Sequence, residues 1–237
     1  MTGGASAAPG ALDGPRVERE LDAGGAALLP GLLDPEQCRA LRELYADETR
    51  FRSTVVMARH NFGSGEYKYL AYPLPELVQS LRTRLYELLL PTARRWHEAL
   101  GVERPLPPRH AEYLAECHAA GQARPTPLLL RYGPNDYNCL HQDLYGELVF
   151  PLQVAILLSE PGRDFSGGEL ILTEQRPRMQ SRAEVVPLAR GDGVAFASSE
   201  RPVLGTRGFY RVKMRHGVSR VRSGARSVLG ILFHDAT

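Results

Sequence analysis

Near Gln122 the rhythm of this chain changes, and that change constrains its fold more than any other feature. Upstream, apolar residues recur at helical spacing. Downstream, short strand-like runs follow one another, with Gly or Pro in nearly every gap. A helical first half followed by a run of short strands predicts an α+β fold, with helices packed on the outside of an all-β sandwich or barrel. No internal repeat or heptad competes with that reading.

Residues 1–16 are rich in Gly, Ala, Ser and Pro and read as a disordered tail. Structure is expected to begin near Ala26–Pro30. Asp34 has the look of an N-cap, with Pro35 at the first helical position and Gln37 where a capping box needs it. Cys38, Leu41, Leu44 and Tyr45 then follow at helical spacing. Phe51–Met57 reads as a strand and 61–68 as a loop. A long helix is expected over about 75–99, kinked or interrupted at Pro91. A further helix covers about 109–120. The strands expected after Gln122 are 128–132, 150–158, 169–173, 183–188, 193–197, 210–216 and 226–234.

The composition is ordinary for a globular protein, at 43% apolar and 24% charged, and the net charge of +2 implies no strong overall field. Only Lys68 and Lys213 are lysines, so the basic residues are almost all arginine and no single arginine signifies a phosphate site. Cys38, Cys117 and Cys139 form no C-x-x-C pair, which argues against a disulfide framework or a Cys-rich zinc site and for a reducing compartment. No run approaches the roughly 20 apolar residues a membrane span needs. A cytoplasmic location with no membrane partner is expected.

The chemistry-bearing residues are His141-Gln142-Asp143, then His216, then Arg226. Two histidines and one carboxylate can hold one face of an octahedral Fe(II) and leave the opposite face open. His141 and Asp143 alternate, so they point to one side if they leave a strand end together. Phe165-Ser166-Gly167-Gly168-Glu169-Leu170 and Arg190-Gly191-Asp192-Gly193-Val194-Ala195-Phe196 are turn-and-strand segments between the two histidines. Arg226 opens the last long strand. Inside a barrel its charge needs a carboxylate partner. His110, Cys117 and His118 read as helix packing rather than a zinc site, and His234-Asp235 as strand neighbours facing opposite ways.

In this order the residues resemble the Fe(II)/2-oxoglutarate-dependent dioxygenases. The resemblance covers about 128–235: a Tyr-bearing strand, H-x-D, Gly-Gly-Glu, Gly-Asp-x-x-x-Phe, a distal His, then Arg. It implies a double-stranded β-helix, or jelly roll, over about 123–237, carried by a helical support over about 17–122 in a single domain from 17 to 237. It implies Fe(II) on His141, Asp143 and His216, which are thereby the catalytic residues. It also implies 2-oxoglutarate as co-substrate on Arg226 with the Tyr132 hydroxyl, O2 as oxidant, and ascorbate as a reductant. The implied enzyme couples decarboxylation of 2-oxoglutarate to C–H hydroxylation. More narrowly, Asn138–Asp143, Gln175–Arg182, Arg215–Arg220 and the segment from Phe51 to Tyr69 are similar to a bacterial branch described as acting on alkylated DNA.

The substrate is less constrained. From Arg176 to Arg226 there are twelve Lys/Arg against three Asp/Glu, the kind of concentration that binds phosphate. Tyr67 and Tyr69, with Phe62 and Tyr72, are candidates to stack on an extruded base of single-stranded or damaged nucleic acid. Arg52, Lys68, Arg176 and Arg178 are candidates for its backbone. Against this, the final strand after Arg226 reads Ser-Val-Leu-Gly-Ile-Leu-Phe and lacks the Asn and second Arg of AlkB-type demethylases. The spacing from His216 to Arg226 is closer to the prolyl-hydroxylase type. A hydroxylase of a peptide or amino acid is therefore the rival expectation, and a metal-free β-barrel binding module a third. The oligomeric state is not fixed by the sequence.

Overall fold

The computed structural model describes residues 12–237. Two antiparallel sheets face each other as a jelly roll, and helices cover the outer face of the larger one. Helix α1 (Gly14–Gly24) leads into β1 (Ala26–Leu29), and α2 (Pro35–Leu44) follows. Next come β2 (Phe51–Val56), β3 (Gly63–Ser64), β4 (Glu66–Leu70), α3 (Glu76–Ala99) and α4 (His110–Ala119). The second half is β5 (Leu128–Tyr132), β6 (Tyr137–His141), β7 (Leu152–Leu157), β8 (Phe165–Gly167), β9 (Leu170–Gln175) and β10 (Arg182–Val186). It ends with β11 (Gly193–Ala197), β12 (Glu200–Gly205), β13 (Gly208–Val218), β14 (Val221–Gly224) and β15 (Arg226–Ile231).

The major sheet runs β1-β11-β7-β15-β5-β4-β2 and the minor sheet β10-β9-β13-β6-β3, with β12 paired to β13 and a separate β14-β8 ladder. Because side chains alternate along a strand, the major sheet serves two layers. Val154, Ile156, Leu229 and Ile231 pack with Leu81, Leu85, Tyr86 and Trp96 of α3 and with Val17 and Leu21 of α1. Between them, Ala155, Val228 and Gly230 turn towards the space between the sheets. That space is closed at one side by Leu170 and Leu172 of β9 against Val194 and Phe196 of β11.

The capping box on α2 is present: the Asp34 carboxylate accepts from Gln37 N, and the Gln37 side chain accepts from Asp34 N. Helix α3 continues through Pro91, so of the kink or interruption expected there the interruption is absent, and Leu89, Leu90, Ala93 and Trp96 are buried around the proline. The tail expected over 1–16 also needs correction. Its first eleven residues lie outside the described residues, but α1 begins at Gly14, capped by the Asp13 side chain on Arg16 N. The segment 61–68, expected as a loop, contains β3 and most of β4. No described helix is long and apolar enough to cross a membrane.

Candidate metal centre and co-substrate pocket

Strands β6 and β13 are antiparallel neighbours, and His141 and His216 face each other directly across them. The register slips by one residue between His216 and Val218, a bulge that re-aims the end of β6. Gln142 then locks the turn: its amide donates to Ser199 O at 2.7 Å and Met214 O at 2.9 Å. With Gln142 turned that way, His141 and Asp143 converge on His216. The His141 Nε2 lies 3.6 Å from Asp143 Oδ1, and His216 Nε2 lies 3.2 Å from Asp143 Oδ2. The imidazole rings are 4.1 Å apart, and one ligating atom from each of the three residues falls within 4.8 Å of the others.

The donor set fits a metal ion. His141 Nδ1 donates to Cys139 O at 2.8 Å, which fixes the tautomer and leaves the Nε2 lone pair facing Asp143. Burial by itself would raise the Asp143 carboxyl. The charge and hydrogen bond of His216, the charge of His141 and the Tyr145 hydroxyl outweigh it and hold the group well below the usual carboxylate range. Burial, reinforced by His216, pushes His141 down. Asp143 and His141 are thereby biased towards the deprotonated states a metal ligand needs.

The three residues line a cavity of about 440 Å³ between the sheets, and Arg226 lies in its wall. Arg226 sits opposite Tyr132 across the β15–β5 ladder, its guanidinium carbon 5.6 Å from the Tyr132 ring centre. Only 3% of it is exposed, and its Nε has no partner. Burial lowers its pKa to about 10, so it stays charged at neutral pH. A buried cation without a partner is costly, and a carboxylate entering this cavity would satisfy it. Gly168 makes room for that side chain: at φ +65° it turns β8 into β9, and a Cβ there would stand 2.9 Å from Arg226 Cδ. The Tyr132 hydroxyl accepts from Asn138 Nδ2 at 3.3 Å, and burial pushes that phenol up to about 12.

The structure sorts the residues expected to bind substrate. Tyr67 lines the cavity, with Tyr69 edge-on behind it at 5.4 Å. Arg52 covers the Tyr69 ring at 4.3 Å and donates to Pro125 O, so it supports the aromatic wall rather than facing the cavity. Lys68 is corrected outright. Alternation along β4 turns it the other way, where it is buried, donates to Tyr45 O and pairs with Glu48. Arg176 and Arg178 lie in the turn after β9, away from the cavity lining. Arg176 pairs with Glu174 at 3.4 Å, and Arg178 is exposed. Tyr72 donates to Asp235 instead of reaching the site. Phe62 is exposed at the cavity mouth and stacks on His60 at 5.3 Å.

Two cavity residues, Tyr145 and Gln153, escaped the sequence reading, while Phe196 closes the expected Gly-Asp-x-x-x-Phe segment. Tyr145 donates to Asp143 Oδ1 at 2.9 Å. Gln153, on β7, is buried with an unpartnered Nε2. Phe196 packs 4.8 Å from the His216 ring. Gln153 carried a signal, being the one polar residue in the apolar run from Phe150 to Leu158. Among the described residues, only His141, Asp143 and His216 form a cluster able to hold a metal. His110 instead bonds Phe233 O, and Asp235 is buried against Arg82, Tyr72 and His118.

Residues 65–236 match the family model Oxygenase-NA, described as an oxygenase catalysing oxidative methylation of damaged DNA. An uncharacterized protein of Mycobacterium tuberculosis (strain CDC 1551 / Oshkosh) is 53% identical over 164 residues, which cover 69% of this chain and 70% of that one. Among solved structures, a prolyl hydroxylase from Trichoplax adhaerens in complex with a hypoxia inducible factor peptide fragment is similar at TM-score 0.57 and 15% identity. It covers 94% of this chain and 89% of its own. A Pseudomonas putida prolyl-4-hydroxylase is similar at TM-score 0.54 and 15% identity, covering 93% and 98%. At these identities the structural likeness is one of fold.

Proposed function

The chain belongs to this oxygenase family, within the Fe(II)/2-oxoglutarate oxygenases, and from that premise we propose that it oxidises the methyl group of an alkylated base in single-stranded or damaged nucleic acid. His141, Asp143 and His216 would hold Fe(II), and Arg226 would hold a carboxylate of 2-oxoglutarate, with the Tyr132 hydroxyl beside it. Bound together, the metal and co-substrate supply the oxidation of a C–H bond by O2, with succinate and CO2 as the other products. Ascorbate would serve as an auxiliary reductant.

The chain's own residues contribute binding, orientation and exclusion of water. Arg226 is a buried charge that a dicarboxylate would neutralise through charge-assisted hydrogen bonds. Leu128, Leu130, Ala155, Val228 and Gly230 give the cavity an apolar floor that keeps competing water out. Tyr67 offers a ring face to a flipped base. The observation that carries the class of reaction is the buried Arg226 side chain, its Nε without a partner, in the same cavity as the His-Asp-His cluster. The methylated-base reading is supported by the family description.

One observation favours a second reading. Among the described residues, Arg226 is the only Lys or Arg lining the cavity, and the exposed side chains at its mouth include Phe62, Leu140 and Leu144. Such a mouth suits a neutral ring or an apolar peptide side chain, as a hydroxylase of the prolyl type would take. The deciding experiment gives Fe(II)-loaded protein 2-oxoglutarate and O2, with a methylated single-stranded oligonucleotide whose mass is followed. Succinate stimulated by the oligonucleotide, with loss of its methyl group, supports nucleic-acid demethylation. Succinate with an unchanged oligonucleotide rejects it in favour of a peptide or amino acid.

A further inference from the structure

We infer that Tyr145 is a positioning residue for the Asp143 carboxylate, and that the buried side chain of Gln122 holds Tyr145 in place. The inference rests on the reading of His141, Asp143 and His216 as metal ligands. A carboxylate beside two histidines has two oxygens to offer, and a three-residue metal site that keeps positions open needs it to present one. The two oxygens of Asp143 are not equivalent. Oδ1 accepts from the Tyr145 hydroxyl at 2.9 Å and stands 3.6 Å from His141 Nε2. Oδ2 is nearer its histidine, 3.2 Å from His216 Nε2. The phenol occupies one oxygen and so leaves the other to the metal.

The position of that phenol is over-determined by its surroundings. Gln122 is 1% exposed and sits where the chain turns from α4 towards β5. The two N–H bonds of its Nε2 are shared among Tyr145 O at 3.2 Å, Leu148 O at 3.0 Å and Asp235 O at 2.6 Å, while its Oε1 accepts from Leu148 N at 2.7 Å. The turn after Asp143 is thus clamped at two residues by one amide, which is itself tied to the C-terminal segment. Gly146 lets the clamp close. It adopts φ +95°, and a Cβ on it would collide with the Gln122 amide. From the other side, the Tyr69 ring meets Tyr145 edge-on at 6.4 Å. A surface tyrosine that met Asp143 by chance would need none of this.

Loss of such an outer partner typically costs 10- to 100-fold in metal affinity. The test is Co(II) titration of the full chain, followed by the visible absorption of the bound ion, for wild type and Tyr145→Phe. The substitution removes one hydroxyl and keeps the ring, so the metal-free melting temperature is expected to stay the same. Co(II) should bind roughly 10- to 100-fold more weakly. At saturating Fe(II), the half-saturating concentration of 2-oxoglutarate should be unchanged. Equal Co(II) affinity in the two proteins overturns this inference and leaves the metal site standing. Weaker binding with an equally weakened metal-free fold also overturns it, because Tyr145 is then merely structural. A wild type that binds no Co(II) overturns the metal reading and this one with it.

Discussion

Arg226 is buried in the wall of the cavity that holds the His-Asp-His cluster, and its Nε has no partner in the protein. A hydrogen bond to a charged group is worth about 1.5–3 kcal/mol. Arg226→Ala should therefore raise the 2-oxoglutarate concentration needed for half-maximal succinate formation by roughly 10- to 150-fold. An unchanged requirement would transfer the role to Arg220 or Arg222. That Arg226 shares a cavity with His141, Asp143 and His216 was expected from the sequence, because their order along the chain is the one the resemblance implies. Lys68 was misread for a local reason. It sits between Tyr67 and Tyr69, and a strand turns its middle residue to the opposite face. Tyr145 and Gln122 were illegible because 23 residues separate them and only the closed turn brings them together.

At the scale of elements, the signals that hid structure were small residues. Gly63 and Gly65 made β3 and β4 read as a loop, and Pro202 obscured β12. Helix α1 buries only Val17 and Leu21, too short a repeat to stand out behind a Gly- and Pro-rich lead. The turn between β8 and β9 is where an element bears directly on Arg226. Gly168→Ala would force a Cβ into a left-handed conformation, 2.8 Å from Val221 Cγ2 and 2.9 Å from Arg226 Cδ. We expect a higher 2-oxoglutarate requirement with metal affinity unchanged. Metal titration alongside succinate kinetics checks both halves. A loss of metal affinity instead would mean that the turn supports β13 rather than Arg226.

Across the whole molecule, the helical layer and the jelly roll are joined by a buried polar network. Arg82 of α3 donates to Leu232 O, His234 O and the Asp235 carboxylate, and Thr126 bonds the same His234 carbonyl. Beside it, burial, reinforced by the charge of Arg82, pushes His110 and His234 down to about 4. Between pH 4 and the ordinary histidine value of about 6.5 the unfolded chain binds more protons than the folded one. Stability should therefore be full above pH 6.5 and fall as the pH drops towards 4. Each histidine contributes a slope approaching about 1.4 kcal/mol per pH unit. Urea denaturation across that range measures it, and a flat profile would mean that neither histidine is shifted in the folded protein. The helix-then-strand order made the two layers legible in advance. The network joining them was not, because it draws on α3, α4 and the C-terminal segment at once.

The central claim is that one cavity holds both the metal triad and the site for a dicarboxylate co-substrate. Its most direct test is succinate formation by Fe(II)-loaded protein given 2-oxoglutarate and O2, in wild type and in Asp143→Ala. The account predicts succinate from wild type that requires both Fe(II) and 2-oxoglutarate, and none above background from Asp143→Ala. Equal succinate from the two proteins would contradict the assignment of Asp143, and none from either would contradict the co-substrate site itself.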